Sequence, residues 1–139
     1  MTASASISPQ EALIYTMVLA SAVDREMSDD ELGHIGDLVK TMPVFSTFAS
    51  NRLIDVSREC TSLVSGPLGL DGLLLVIRDA LPDRLADTAY ALAVEVSSAD
   101  LMLKPEELRF LSRLRDALSL DKLTCAAIER SAIARYRKG

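Results

Sequence analysis

The sequence predicts an all-α protein, a single compact domain of about seven helices, and three observations lead there. Apolar residues recur at helical spacing in segment after segment, and no stretch alternates with the period of two that a half-buried strand requires. The composition is 49% apolar but only 4% aromatic, without Trp and rich in Ala, Leu and Ser, a mix suited to close-packed helices. Third, one passage recurs: Ala20–Leu32 lines up without gaps on Val96–Leu108, 76 positions later. Ser, Asp, Glu and Leu are identical in the two copies, and Val18, Met27, Ile35 and Leu38 fall on Val94, Leu103, Leu111 and Leu114. Repetition of this kind implies two pseudo-repeated helix-turn-helix units.

Ser8-Pro9 with Glu11 reads as a helix start with Pro in the first turn, leaving residues 1–8 as an N-terminal tail. The stripe Ala12, Tyr15, Leu19, Ala22 and Val23 carries this first helix to about Asp24. Ser28 opens the second, with Leu32, Ile35, Leu38 and Val39 turned inward, and Met42-Pro43 closes it. The third is expected from about Phe45 to Leu63, and after the Ser65-Gly66-Pro67 break the fourth covers about Leu70 to Leu81. Pro82-Asp83 starts the fifth, which runs through Leu85, Ala89, Leu92, Ala93 and Val96 to Asp100. The sixth begins at Pro105 and buries Leu108, Leu111, Leu114 and Leu118; the seventh runs from about Lys122 to Tyr136.

At 139 residues the chain is one ordinary domain, long enough to bury roughly two-thirds of its unfolded surface. A net charge of −5 argues against nucleic acid, whose phosphates need a cationic footprint. Cys60 and Cys125 stand alone, with no CxxC spacing, and read as buried thiols of a reducing cytoplasm. The opening Met1–Ser6 lacks the basic-then-apolar order of a secretory signal. The longest apolar run, Leu73–Ile77, is far short of the roughly 20 residues of a spanning helix. A cytoplasmic location is therefore expected.

The repeated passage places carboxylates at two helix-to-helix corners. Asp24 and Asp100 fall where a helix ends, an unfavourable place for an anion unless it meets N–H groups or a cation. Glu31 and Glu107 fall at about the third position of the next helix, each preceded by a second acid, Asp30 or Glu106. If the two units face each other, these oxygens converge, and hard oxygen donors suit Ca²⁺, Mg²⁺ or Mn²⁺. The structural alternative is equally concrete. Ser28 with Glu31 three positions on is a capping box, Asp24 can close an Asx turn, and Pro105 with the helix dipole favours an acid at Glu107. The odd-position oxygens of Asp24-x-Glu26-x-Ser28-x-Asp30 do not make a calcium loop, which needs Gly sixth and Glu twelfth where Asp29 and Ile35 stand.

An Ala-rich helix leading into Ala22-Val23-Asp24-x-x-Met27-Ser28-x-x-Glu31-Leu32, and again into Ser98-Ala99-Asp100-x-x-Leu103-Lys104-Pro105-Glu106-Glu107-Leu108, resembles the tellurite-resistance TerB family. The resemblance spans about Glu11 to Arg135. It implies an all-helical cytoplasmic stress-response protein, without catalytic activity, with a link to membrane-associated complexes and a place peripheral to the inner membrane. It also implies divalent cations at the acidic corners, which carried over residue by residue means Asp24, Glu31, Asp100 and Glu107, with Asp30 and Glu106 beside them. The chain departs from the family pattern where Gly usually follows Asp: Arg25 and Leu101 stand there.

Two functions are thus expected from different classes, a non-enzymatic corner that binds a divalent cation or a basic partner, or an interaction module or membrane-complex adaptor that docks a protein partner in an apolar groove or self-associates; a third, a metal-dependent hydrolase, is weighed and set aside. The last draws only on Glu31-Leu32-Gly33-His34, the single Glu-x-x-His spacing, whose counterpart in the second copy ends in Phe110. The glycine-rich 66–72 stretch lacks the Lys-Ser/Thr of a phosphate loop and reads as a helix connection. Arg130, Arg135, Arg137 and Lys138 complement the dipole of the last helix, and Met17, Met27, Met42 and Met102 read as core gap-fillers.

Overall fold

Local signals at the start of the chain are realised in full. The computed structural model describes residues 6–22, 27–97 and 103–139. Helix α1 (Pro9–Ser21) is opened by Ser8, whose Oγ accepts the Glu11 N–H at 3.0 Å while Glu11 Oε1 accepts the Ser8 N–H at 2.8 Å. Helices α2 (Asp29–Thr41), α3 (Leu53–Ser65), α4 (Gly69–Ala80), α5 (Ala86–Ser97), α6 (Pro105–Ala117) and α7 (Lys122–Tyr136) follow, and no strand occurs among the described residues. The domain is all-α, as the periodicity predicts.

The centre is built by α1 and α5, which lie against each other. A stripe along α1 is what the spacing predicts; in fact every residue from Ala12 to Ser21 is buried. A helix apolar all round must be enclosed on all sides, and α1 is packed by α2, α3, α4, α5 and α6. The Thr16 hydroxyl, in the middle of α1, donates to the Ala12 carbonyl at 2.8 Å and so is buried without an open hydrogen bond. Helix α7 packs on α5 at the outside of the molecule and buries only Cys125 and Ala132. Among the described residues no helix is long and apolar enough to cross a membrane.

The two repeated passages give helices in register. Helices α2 and α6 begin 76 positions apart and end 76 positions apart, and α1 and α5 end at Ser21 and Ser97, again 76 apart. Ile35 and Leu38 face the core from α2, as Leu111 and Leu114 do from α6. Leu108, expected inside, is instead 52% exposed.

The third helix begins later than the spacing predicts. Pro43–Phe45 and Ser50–Arg52 are short 3₁₀ turns, and α3 starts only at Leu53. Tertiary contacts hold this linker. Phe45 is 2% exposed and meets the Phe48 ring edge-on, with centroids 6.3 Å apart. Gln10 on α1 donates to the Val44 carbonyl at 3.1 Å and to Thr47 Oγ1 at 3.0 Å, and the Arg52 guanidinium lies over Phe48 and pairs with Glu11 at 2.6 Å. A continuous helix would break these contacts. The fifth helix likewise opens with a 3₁₀ turn, Asp83–Leu85, before α5 proper.

Glu11 therefore serves both the cap of α1 and the linker. Burial works to raise its carboxyl, but the Ser8 N–H and the Arg52 guanidinium outweigh that and hold it below its ordinary value of 4.5. A group lowered on folding stabilises the fold above its unfolded value and loses that contribution as pH falls through the folded one. Glu11→Gln is accordingly expected to be less stable than the parent near neutral pH, with the gap closing below pH 4.5; urea midpoints at neutral and acid pH measure it.

Candidate functional site

At the first corner α1 ends with the Ala22 N–H bonded to the Val18 carbonyl, and Ser28 opens α2. Glu31 Oε1 accepts the Ser28 N–H at 2.8 Å and the Glu31 N–H donates to Ser28 Oγ at 3.1 Å, so the capping box read from the sequence is present. At the second corner Glu107 Oε1 accepts the Lys104 N–H at 2.8 Å. The reciprocal bond is missing, because a lysine side chain has no acceptor. Asp30 is exposed and Glu106 half-buried. Asp24 and Asp100 lie outside the described residues. Among the described residues, no three of His, Cys, Asp and Glu gather closely enough to hold a metal ion.

Lys104 has φ −76° and ψ 156°, close to the −75° and 164° of Ser28. A serine there completes the box without strain. Lys104→Ser is expected to stabilise the protein by about 0.5–2 kcal/mol, read from a chemical-denaturation midpoint, whereas Ser28→Ala is expected to cost a similar amount.

Two buried tyrosines hold the flanking helices to the central pair. The Tyr15 hydroxyl on α1 donates to Glu59 on α3 at 3.4 Å, and the Tyr90 hydroxyl on α5 donates to Glu129 on α7. Burial, reinforced by these carboxylates, pushes both phenols well above the ordinary tyrosine value. Each helix bearing the acceptor also bears a buried free cysteine, Cys60 or Cys125. Burial pushes the Cys60 thiol up to about 12, so it is an inert core group, as the isolated cysteines lead one to expect. Met17 is likewise fully buried, and Met27 and Met42 pack against the core.

A predominantly apolar concavity lies away from the capping residues, between α5 and α7. It has a volume of about 690 Å³, within the range of ligand and peptide pockets. Thr88, Ala91, Leu92 and Glu95 form one wall, Ala127, Ile128, Ser131, Ala132 and Arg135 the other, and Met42, Pro43 and Val44 close the side. At one end Glu95 accepts from both the Arg135 guanidinium and the Tyr136 hydroxyl. Thr88, Ala91 and Glu95, like Ala127, Ser131 and Arg135, recur at helical spacing, so each wall is one helix face. The sequence signal for this groove is a last helix with no preferred apolar side: Leu123 and Ile133 are exposed while Cys125 and Ala132 are buried.

Comparisons with family models, with curated proteins and with solved structures find no match to this chain.

Proposed function

We propose that the protein is a non-catalytic helical binding module that takes an amphipathic helix of a partner protein into the groove between α5 and α7. The groove itself carries this reading. Its walls run for roughly 11 Å along each helix at a rise of about 1.5 Å per residue, the length of two helical turns. Small side chains on both walls, Thr88 and Ala91 facing Ala127 and Ser131, leave room for a third helix to approach closely. An apolar floor with a charged pair at one end matches the helix-in-groove mode of recognition. The net charge of −5 favours a partner helix with a basic polar face.

The test is calorimetric titration with a synthetic amphipathic helix, apolar on one face and lysine-rich on the other. Saturable binding is expected, and Ala127→Glu, a change at an exposed position, is expected to abolish it while leaving the thermal midpoint unmoved. Equal binding by the parent and the variant overturns the reading.

A second reading is supported by the equivalent placement of Glu31 and Glu107, 76 positions apart and each closing a helix start. On that reading the corners bind a divalent cation, and the stress-response role implied by the resemblance to TerB proteins comes with it. Titration with Ca²⁺ or Mn²⁺ separates the two. Heats that vanish in an Asp24→Asn, Asp100→Asn double variant support the cation site, and heats unchanged by it contradict the assignment.

A further inference from the structure

A second, smaller cleft lies among α5, α6 and α7, and its chemistry is unlike that of the groove. Arg115 of α6 and Glu129 of α7 both line it, and their contacts run to other groups, Arg115 to Asp116 and Ser112 and Glu129 to Tyr90. The Arg115 side chain, 30% exposed, lies 3.7 Å from its neighbour Asp116 and donates to Ser112 Oγ at 3.4 Å, both long contacts that a better acceptor can replace. Glu129 is held by Tyr90, which is 1% exposed and whose hydroxyl donates to this carboxylate. That bond uses one of the carboxylate's roughly four lone-pair sites. The same cleft is lined by the buried apolar side chains of Val94 and Leu111 and by Leu108 and Ile133, which are 52% and 41% exposed.

We propose that this cleft binds a free apolar α-amino acid of leucine size, its carboxylate on Arg115, its ammonium on Glu129 and its side chain against Val94 and Leu111. A simple carboxylic acid would leave Glu129 facing a like charge or an apolar group, and a simple amine would do the same to Arg115; a zwitterion satisfies both. The volume of about 230 Å³ lies below the range of drug-sized pockets and equals roughly eight waters at their liquid share of about 30 Å³. That room suits a small amino acid rather than a peptide or cofactor. The bound side chain would also cover Leu108 and Ile133, two large apolar groups otherwise left in water.

The experiment titrates the full chain with L-leucine, with leucinamide, which lacks the carboxylate, and with 4-methylpentanoate, which lacks the amine. Leucine is expected to bind saturably and to shift the methyl resonances of Val94, Leu111 and Ile133. Each one-armed analogue is expected to bind about tenfold more weakly or worse, the scale of one lost hydrogen bond to a charged group. Arg115→Gln and Glu129→Gln are each expected to weaken leucine by a similar factor, and the analogue series on the parent chain stands even if a variant fails to fold. No saturable binding up to the solubility limit of leucine, analogues that bind as well as leucine, or shifts confined to Ala91 and Ala127 of the α5–α7 groove would each overturn the proposal. None of these outcomes depends on whether the groove accepts a helix.

Discussion

Phe45→Ala is expected to lower the stability of the fold by about 3–5 kcal/mol, the range for truncating a buried aromatic ring. Phe45 is 2% exposed and stands at the end of a short 3₁₀ turn in the linker, outside the α-helices. Its ring meets the Phe48 ring edge-on and packs in the core alongside the linker contacts of Gln10 and Arg52. The residues just before it, Met42, Pro43 and Val44, form the third side of the α5–α7 groove. The substitution is therefore expected to weaken binding of an amphipathic helix as well as stability. A urea-denaturation midpoint together with the same calorimetric titration measures both; a loss below about 1 kcal/mol would show that the linker is held by Gln10 and Arg52 instead.

The second large effect is expected at Leu13→Ala, at about 2–5 kcal/mol. Leu13 is fully buried in the middle of a helix enclosed by five others, so the space it leaves has little freedom to collapse. Leu123, the same residue type 81% exposed on α7, is the internal control: Leu123→Ala is expected to change stability by no more than about 0.5 kcal/mol. Similar losses at both positions would contradict the placement of α1 at the centre.

The contrast between these sites shows what local sequence can and cannot reveal. The starts of α1, α2 and α6 were legible because Ser8, Ser28 and Pro105 act within one helical turn of themselves. The end of α2 was legible for the same reason, since Met42-Pro43 directly follows Thr41. The linker from Pro43 to Arg52 was not. Its apolar residues match a helical stripe, and only Gln10, from a different helix, shows why they do not form one. The enclosure of α1 was also hidden, since a stripe and a fully buried helix differ only in what surrounds them.

The candidate sites divide in the same way. Glu31 and Glu107 were found from spacing, and their capping bonds are in place. An apolar groove was expected without a location, and its place between α5 and α7, like the small cleft, was not legible because each depends on groups far apart in the chain. Glu95 meets Arg135 across 40 positions, and Tyr90 meets Glu129 across 39. No window of local sequence carries such a pairing. The nearest signal was the even spread of apolar residues around α7, a helix that buries one narrow strip and leaves apolar surface on either side.

The most direct measurement is a backbone amide NMR map of the full chain titrated with the lysine-faced amphipathic helix. A third helix seated between α5 and α7 predicts the largest shifts at Thr88, Ala91, Ala127 and Ser131, with Glu31 and Glu107 unmoved. Shifts centred on the two capping glutamates, or on the exposed faces around Ile54 and Leu75, would contradict it.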